Sequence, residues 1–158
     1  VKAEYIEGLG LHEIPKSNDA LLDDGRGTLV FVEFKNGLIN SAEQFAIRKK
    51  IYDSVLIFSD ITSMGISKTR EIMKYILVYN ETRNMTNHSD SQLAKKNALS
   101  VQPSPSFDTF AKTISGYAKE EYVCFGLRMF EKYCFKEVHT FTEAEFESYL
   151  ESLPPNVL

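Results

Sequence analysis

The spacing of apolar positions changes character several times along the chain. Residues 1–18 (VKAEYIEGLGLHEIPKSN) carry short apolar groups broken by Gly8, Gly10 and Pro15. They predict a short strand or helix and then an extended lead-in, with Pro15 pushing Ile14 out of the helical region. From Asp19 to Lys35 two apolar runs flank Asp23-Asp24-Gly25-Arg26-Gly27. Asp-Gly followed closely by Gly is hairpin chemistry, because glycine takes the positive φ that such turns need. Strands are therefore expected near 19–23 and 28–35. Leu29-Val30-Phe31-Val32 is apolar on both faces, which marks the second of them as a central strand.

After Asn36-Gly37 the period lengthens. Ile47, Ile51, Val55 and Phe58 recur at helical spacing, and Tyr52 and Leu56 widen the stripe. The pattern predicts a helix over 41–59, with Asn40 or Ser41 as its N-cap. Ile72–Tyr79 is apolar except for Lys74, as expected of a buried strand reached by a helical crossover. Residues 81–104 are polar and predict a long loop, and 107–119 predict a helix capped by Ser106. The alternation in 132–139 (KYCFKEVH) predicts an edge strand. Thr142-Glu143-Ala144-Glu145 has the form of a capping box opening a last helix over 143–152, which Pro154-Pro155 stops. The elements add up to an α/β fold with a central mixed sheet of about four or five strands flanked by helices.

With 158 residues, one domain spanning 1–158 is expected, with its core over about 10–80 and completing helices and strand over 105–158. Apolar content of 43% and charged content of 25% are ordinary for a globular protein. The net charge of −4 excludes a global basic field for nucleic acid, so any polyanion must meet a local patch. Cys124 and Cys134 lack metal-ligand spacing and read as buried free thiols of a reducing compartment. His12, His88 and His139 are scattered without zinc spacing. No apolar run approaches a membrane span, and no signal-peptide pattern opens the chain, so a cytoplasmic location is expected. The chain begins at Val1 rather than Met, which leaves room for an N-terminal helix before it.

The chemistry-bearing pattern is Asp19-x13-Glu33-x-Lys35. Folding the hairpin about Gly25-Arg26 brings Asp19 opposite Glu33. Residues two apart on a strand share a face, so Glu33 and Lys35 project together beside it. Two carboxylates and an ammonium suit a hard divalent cation and a phosphate ester. The backbone carbonyl of Phe34 could add a ligand. A solvated strand end is the plainer alternative, in which Glu33 and Lys35 form a surface pair of little worth. Charges at the end of a central strand argue against it.

A hairpin opened by Asp and closed by Glu33-Phe34-Lys35, then a long helix from Ser41 and a buried strand Ile72–Tyr79, resembles the PD-(D/E)XK nuclease superfamily, the restriction endonuclease-like fold. The resemblance covers roughly residues 10–80. It implies a metal-dependent phosphodiesterase, a nuclease acting on DNA in preference to RNA, with Mg²⁺ or Mn²⁺ held by Asp19, Glu33 and the Phe34 carbonyl. Lys35 would be the catalytic lysine, and Gln44 stands where several members carry a Gln that points back at the site. Arg48 and Lys49 are offered as backbone contacts. The pattern departs from the family in having Ser17-Asn18, not Pro, before Asp19, and in a short or missing N-terminal helix. The low net charge leaves a homo-oligomer or a partner protein to complete the groove. The rival expectation is a catalytically inactive relative that kept the fold as a binding or interaction module.

Overall fold

The computed structural model describes residues 7–10, 14–84 and 123–154. Strands β1 (Ala20–Asp23) and β2 (Leu29–Lys35) form the expected hairpin. They are antiparallel, with Ala20 opposite Val32 and Asp23 opposite Leu29. Carboxylates build the turn: Asp23 accepts from the Gly25 N–H, and Asp24 accepts from the Arg26 and Thr28 N–H groups. Gly25 and Gly27 take φ of 68° and 84°, the left-handed region that glycine enters without strain.

Helix α1 (Ser41–Thr62) is capped by Asn40, whose side chain accepts from the Glu43 N–H. It runs past the expected end at 59 and stops at Ser63, which adopts a left-handed φ of 56°. Ile47, Ile51 and Val55 are buried as expected. Tyr52 and Leu56 are not: they are 39% and 66% exposed. The buried stripe widens on the opposite flank, where Ser54 is buried and Lys50 is half-buried. Each helical residue turns about 100°, so the residues following Ile51 and Val55 rotate away from the sheet while those preceding them rotate beneath it.

A short helix not anticipated from the sequence, α2 (Ile66–Ile72), follows. Its buried Thr69 hydroxyl lies 2.8 Å from the Cys134 carbonyl, a contact no local pattern announces. Strand β3 (Met73–Tyr79) then runs parallel to β2, with Glu33 opposite Leu77 and Lys35 opposite Tyr79. This is the expected helical crossover. Residues 81–84 are helical, capped by Asn80, where a loop was expected. The rest of that polar segment and the helix expected over 107–119 lie outside the described residues.

Leu127–Phe130 forms a 3₁₀ turn ahead of the last strand. Strand β4 (Glu137–Thr142) is the edge strand, parallel to β3, but it starts later than the expected 132. Cys134 and Phe135 are both buried, which breaks the alternation a strand would require, and Lys132 turns the chain with φ of 60°. Helix α3 (Glu143–Glu151) opens with the full capping box of Thr142 and Glu145. The described sheet has four strands in the order β1-β2-β3-β4, so an α/β fold with a mixed sheet and flanking helices is established.

Two apolar clusters cover the sheet. On the α1 side Phe31, Tyr75, Leu77, Ile47, Ile51 and Phe135 pack together. On the α3 side Val30, Val32, Ile76 and Val78 meet Phe141, Phe146 and Tyr149. Cys124 and Cys134 are free and buried. Among the described residues no helix is long and apolar enough to cross a membrane.

Candidate functional site

The pleat of β2 sorts its last three residues. Phe34 points to the α3 face, where its ring meets Phe146 edge-on. Glu33 and Lys35 therefore point to the α1 face. Glu33 is fully buried, as befits a strand flanked by β1 and β3. Asp19 sits just before β1, and its Oδ2 accepts from the Phe34 N–H at 2.9 Å. The lead-in that delivers Asp19 is strapped to α1. The Lys16 N–H donates to Asp53 Oδ2, and the Asn18 N–H donates to Ser54 Oγ. The hairpin register and these straps bring Asp19 and Glu33 together as the sequence pattern requires.

What joins them is a residue that pattern did not single out. Lys50 Nζ lies 2.6 Å from Glu33 Oε1 and 3.3 Å from Asp19 Oδ1. Lys35 Nζ is 3.6 Å from the same Glu33 oxygen and 3.0 Å from Glu43 Oε2 in the first turn of α1. The result is a chain of alternating charge: Asp19, Lys50, Glu33, Lys35, Glu43. Its centre is buried and its two ends reach solvent.

Burial pushes the Glu33 carboxyl above its ordinary value, against the hydrogen bond and charge of Lys50 and the charge of Lys35. Lys50 is pulled down by burial and raised more strongly by Glu33 and Asp19, so its ammonium is held charged. Two ammonium groups within 3.6 Å of Glu33 Oε1 favour its carboxylate form, but burial outweighs them and the net direction is upward. The other Glu33 oxygen, Oε2, is buried without a hydrogen-bond partner. The Tyr75 hydroxyl is likewise buried and unpartnered. Burial and the charges of Glu33 and Asp19 drive its pKa well up, so it stays protonated. Orphaned buried oxygens are uncommon in a packed interior and mark this as a polar spot inside an apolar one.

The remaining expected residues fall elsewhere. Gln44 is half-buried on α1, and its side chain makes no hydrogen bond to Asp19, Glu33 or Lys35; Glu43, one residue earlier, makes the contact to Lys35. Arg48 turns toward Gly126, with its Nη2 where a Cβ at that position would come within 2.6 Å. Lys49 is exposed. Lys50 had a signal in the sequence, a lysine directly beside the Ile47–Ile51 stripe, but a solvated helix face explains most such lysines.

An open cleft of about 750 Å³ follows the carboxyl ends of β2, β3 and β4, with Lys35, Tyr79 and Thr142 along it. Carboxyl ends of parallel strands are where open α/β sheets place ligands. Its lining also carries Glu81, Glu143 and Glu147, so apart from Lys35 its charged residues are acidic. Among the described residues, no group of three or more His, Cys, Asp or Glu side chains gathers as a metal cluster. Fold and site together define an α/β protein with a buried carboxylate–lysine cluster at the open end of its β1–β2 hairpin. No known protein family, curated protein or solved structure matches the chain.

Proposed function

We propose that the chain is a metal-dependent phosphodiesterase acting on nucleic acid, DNA in preference to RNA, on a restriction endonuclease-like sheet. The observation that carries this reading is the meeting of Asp19 and Glu33 on one face of the β1–β2 hairpin, with Lys35 beside them. The order of hairpin, helical crossover and parallel strand supports the finer fold reading.

The residues fit a hard divalent cation. Asp19 and Glu33 offer carboxylate oxygens, and Glu33 Oε2 is buried without a partner. Mg²⁺ and Mn²⁺ are held by one or two carboxylates and otherwise by water and substrate oxygens, so a third acidic ligand is not required. Asp19, Glu33 and the Phe34 carbonyl would hold the ion. Bound there, it would supply Lewis-acid polarisation of a phosphodiester oxygen and a lowered pKa for water.

Lys35 is the ammonium best placed to meet a phosphate. Its side chain is 22% exposed, lines the cleft and is fixed by Glu43. It would orient the scissile group and neutralise charge building on the phosphoryl oxygens. Gln44, half-buried in the first turn of α1, would position water or phosphate, and the exposed Lys49 would touch the nucleic-acid backbone, whereas Arg48 is turned in toward Gly126 and does not take that role. Because the cleft is acidic, a second copy of the chain or a partner protein would supply the positive surface for a long strand.

The test is cleavage of labelled single- and double-stranded DNA and RNA with Mg²⁺ or Mn²⁺, by wild type, Glu33→Gln and Lys35→Met. Metal-dependent cleavage should fall by about 10²–10⁴ in either variant. Equal cleavage by folded variants would refute the assignment. One observation favours a second reading, a catalytically inactive binding or interaction module: Lys50 already bridges both carboxylates. That module would show no metal-dependent cleavage, and Lys35→Met would leave partner binding intact.

A further inference from the structure

We infer that Lys50 is a tethered counter-ion of the metal site, so that its ammonium and a divalent cation compete for the same carboxylate oxygens. The inference rests on the reading of Asp19 and Glu33 as metal ligands.

Lys50 Nζ sits 2.6 Å from Glu33 Oε1 and 3.3 Å from Asp19 Oδ1. A Mg²⁺ ion takes carboxylate oxygens at about 2.0–2.1 Å. A divalent cation on those two oxygens would lie against the ammonium, and like charges in a partly buried site repel strongly. One of them must leave. Glu33 is fully buried on a central strand and has no route out. Lys35 is anchored on Glu43 and lies farther from Glu33. Lys50 has a flexible four-carbon stem and a side chain 20% exposed, so it can swing toward solvent. Until then it keeps the two carboxylates from repelling each other across the hairpin. Lys50 thus positions the ligands and sets the concentration of metal needed to load the site.

Two measurements on the full chain test this. The first is calorimetric titration with Mn²⁺ of wild type, Lys50→Gln and Glu33→Gln, each checked for folding by circular dichroism. Lys50→Gln should bind Mn²⁺ about tenfold tighter, the order expected when a charge-assisted hydrogen-bonded competitor is removed. Glu33→Gln should lose the site. The second needs no variant: acetylation of wild-type lysines by acetic anhydride, read by peptide mass spectrometry, with and without saturating Mg²⁺. Lys50 should react several-fold faster with the metal present. Equal or weaker Mn²⁺ binding by folded Lys50→Gln would overturn the inference while leaving the metal site standing, provided that binding still depends on Glu33. So would a Lys50 reactivity that Mg²⁺ leaves unchanged or lowers. Absence of any Glu33-dependent Mn²⁺ binding in wild type and Lys50→Gln alike would overturn the metal reading itself, and the inference with it.

Discussion

Lys50 donates to Glu33 Oε1 at 2.6 Å, across 17 residues of sequence and from helix to sheet. The contact explains how a fully buried carboxylate is tolerated at the end of an apolar strand, since a buried charge without a partner would be far costlier.

The two lysines beside Glu33 should differ in what they contribute to stability. Lys50→Met removes the near partner of a buried carboxylate and is expected to cost about 2–3 kcal/mol. That is below the usual range for breaking a buried pair, because Lys50 is partly exposed and Lys35 remains. Lys35→Met should cost about 1 kcal/mol or less. Urea unfolding of both variants gives the order, and a larger loss for Lys35→Met would make Lys35 the principal counter-ion.

Stability should also carry an acid-sensitive part from the α3 face. Glu137 lies 2.7 Å from Lys74 and 3.2 Å from His139 Nε2. Burial works to raise its pKa, but the hydrogen bond and charge of Lys74, and then of His139, prevail and hold it below the ordinary 4.5. A folded value below the unfolded one means that the native state binds fewer protons. The stabilisation is therefore complete above the unfolded value and is lost as pH falls through the folded one. Melting temperatures measured between about pH 3 and 7 should show this loss in wild type and less of it in Lys74→Met. At neutral pH that variant should cost about 0.5–1 kcal/mol, as the pair is partly exposed.

Asn84 is fully buried and fastens the loop after β2. Its Oδ1 accepts from the Ile39 N–H, and its Nδ2 donates to the Gly37 and Asn80 carbonyls. Asn84→Ala leaves the buried Ile39 N–H unpaired and should cost about 2–3 kcal/mol. Hydrogen exchange at the Ile39 amide should rise with it, and an unchanged rate would show that the loop holds without Asn84.

Gly126 combines a left-handed φ of 65° with the close approach of the Arg48 guanidinium. Gly126→Ala should cost about 1–2 kcal/mol from backbone strain, plus the displacement of Arg48. In an Arg48→Ala background only the strain should remain. Equal penalties in both backgrounds, measured by denaturant unfolding, would show that Arg48 yields without cost.

Much of this was legible locally. The Asp-Gly turn, the both-face apolar run of β2, the Asn40 cap and the Thr142–Glu145 box each act within a few residues, and each formed where the sequence placed it. Pairing Asp19 with Glu33 needed only the hairpin register and the two-residue pleat. Strand β4 starts later than the alternation in 132–139 predicts, because Cys134 and Phe135 are both buried, held under α2 and against Phe31.

The hairpin, the crossover and the meeting of Glu33 with Asp19 follow from local pattern, because turn chemistry and backbone periodicity are short-range. Which flank of α1 faces the sheet depends instead on long-range packing. Hydrophobicity favoured Tyr52 and Leu56, yet Lys50 and Ser54 went inside. Ser54 binds the lead-in strand, and Lys50 meets a buried negative charge. The rotation of a helix on a sheet is settled by every partner it touches, and turning Lys50 away would leave the buried Glu33 carboxyl without its nearest partner.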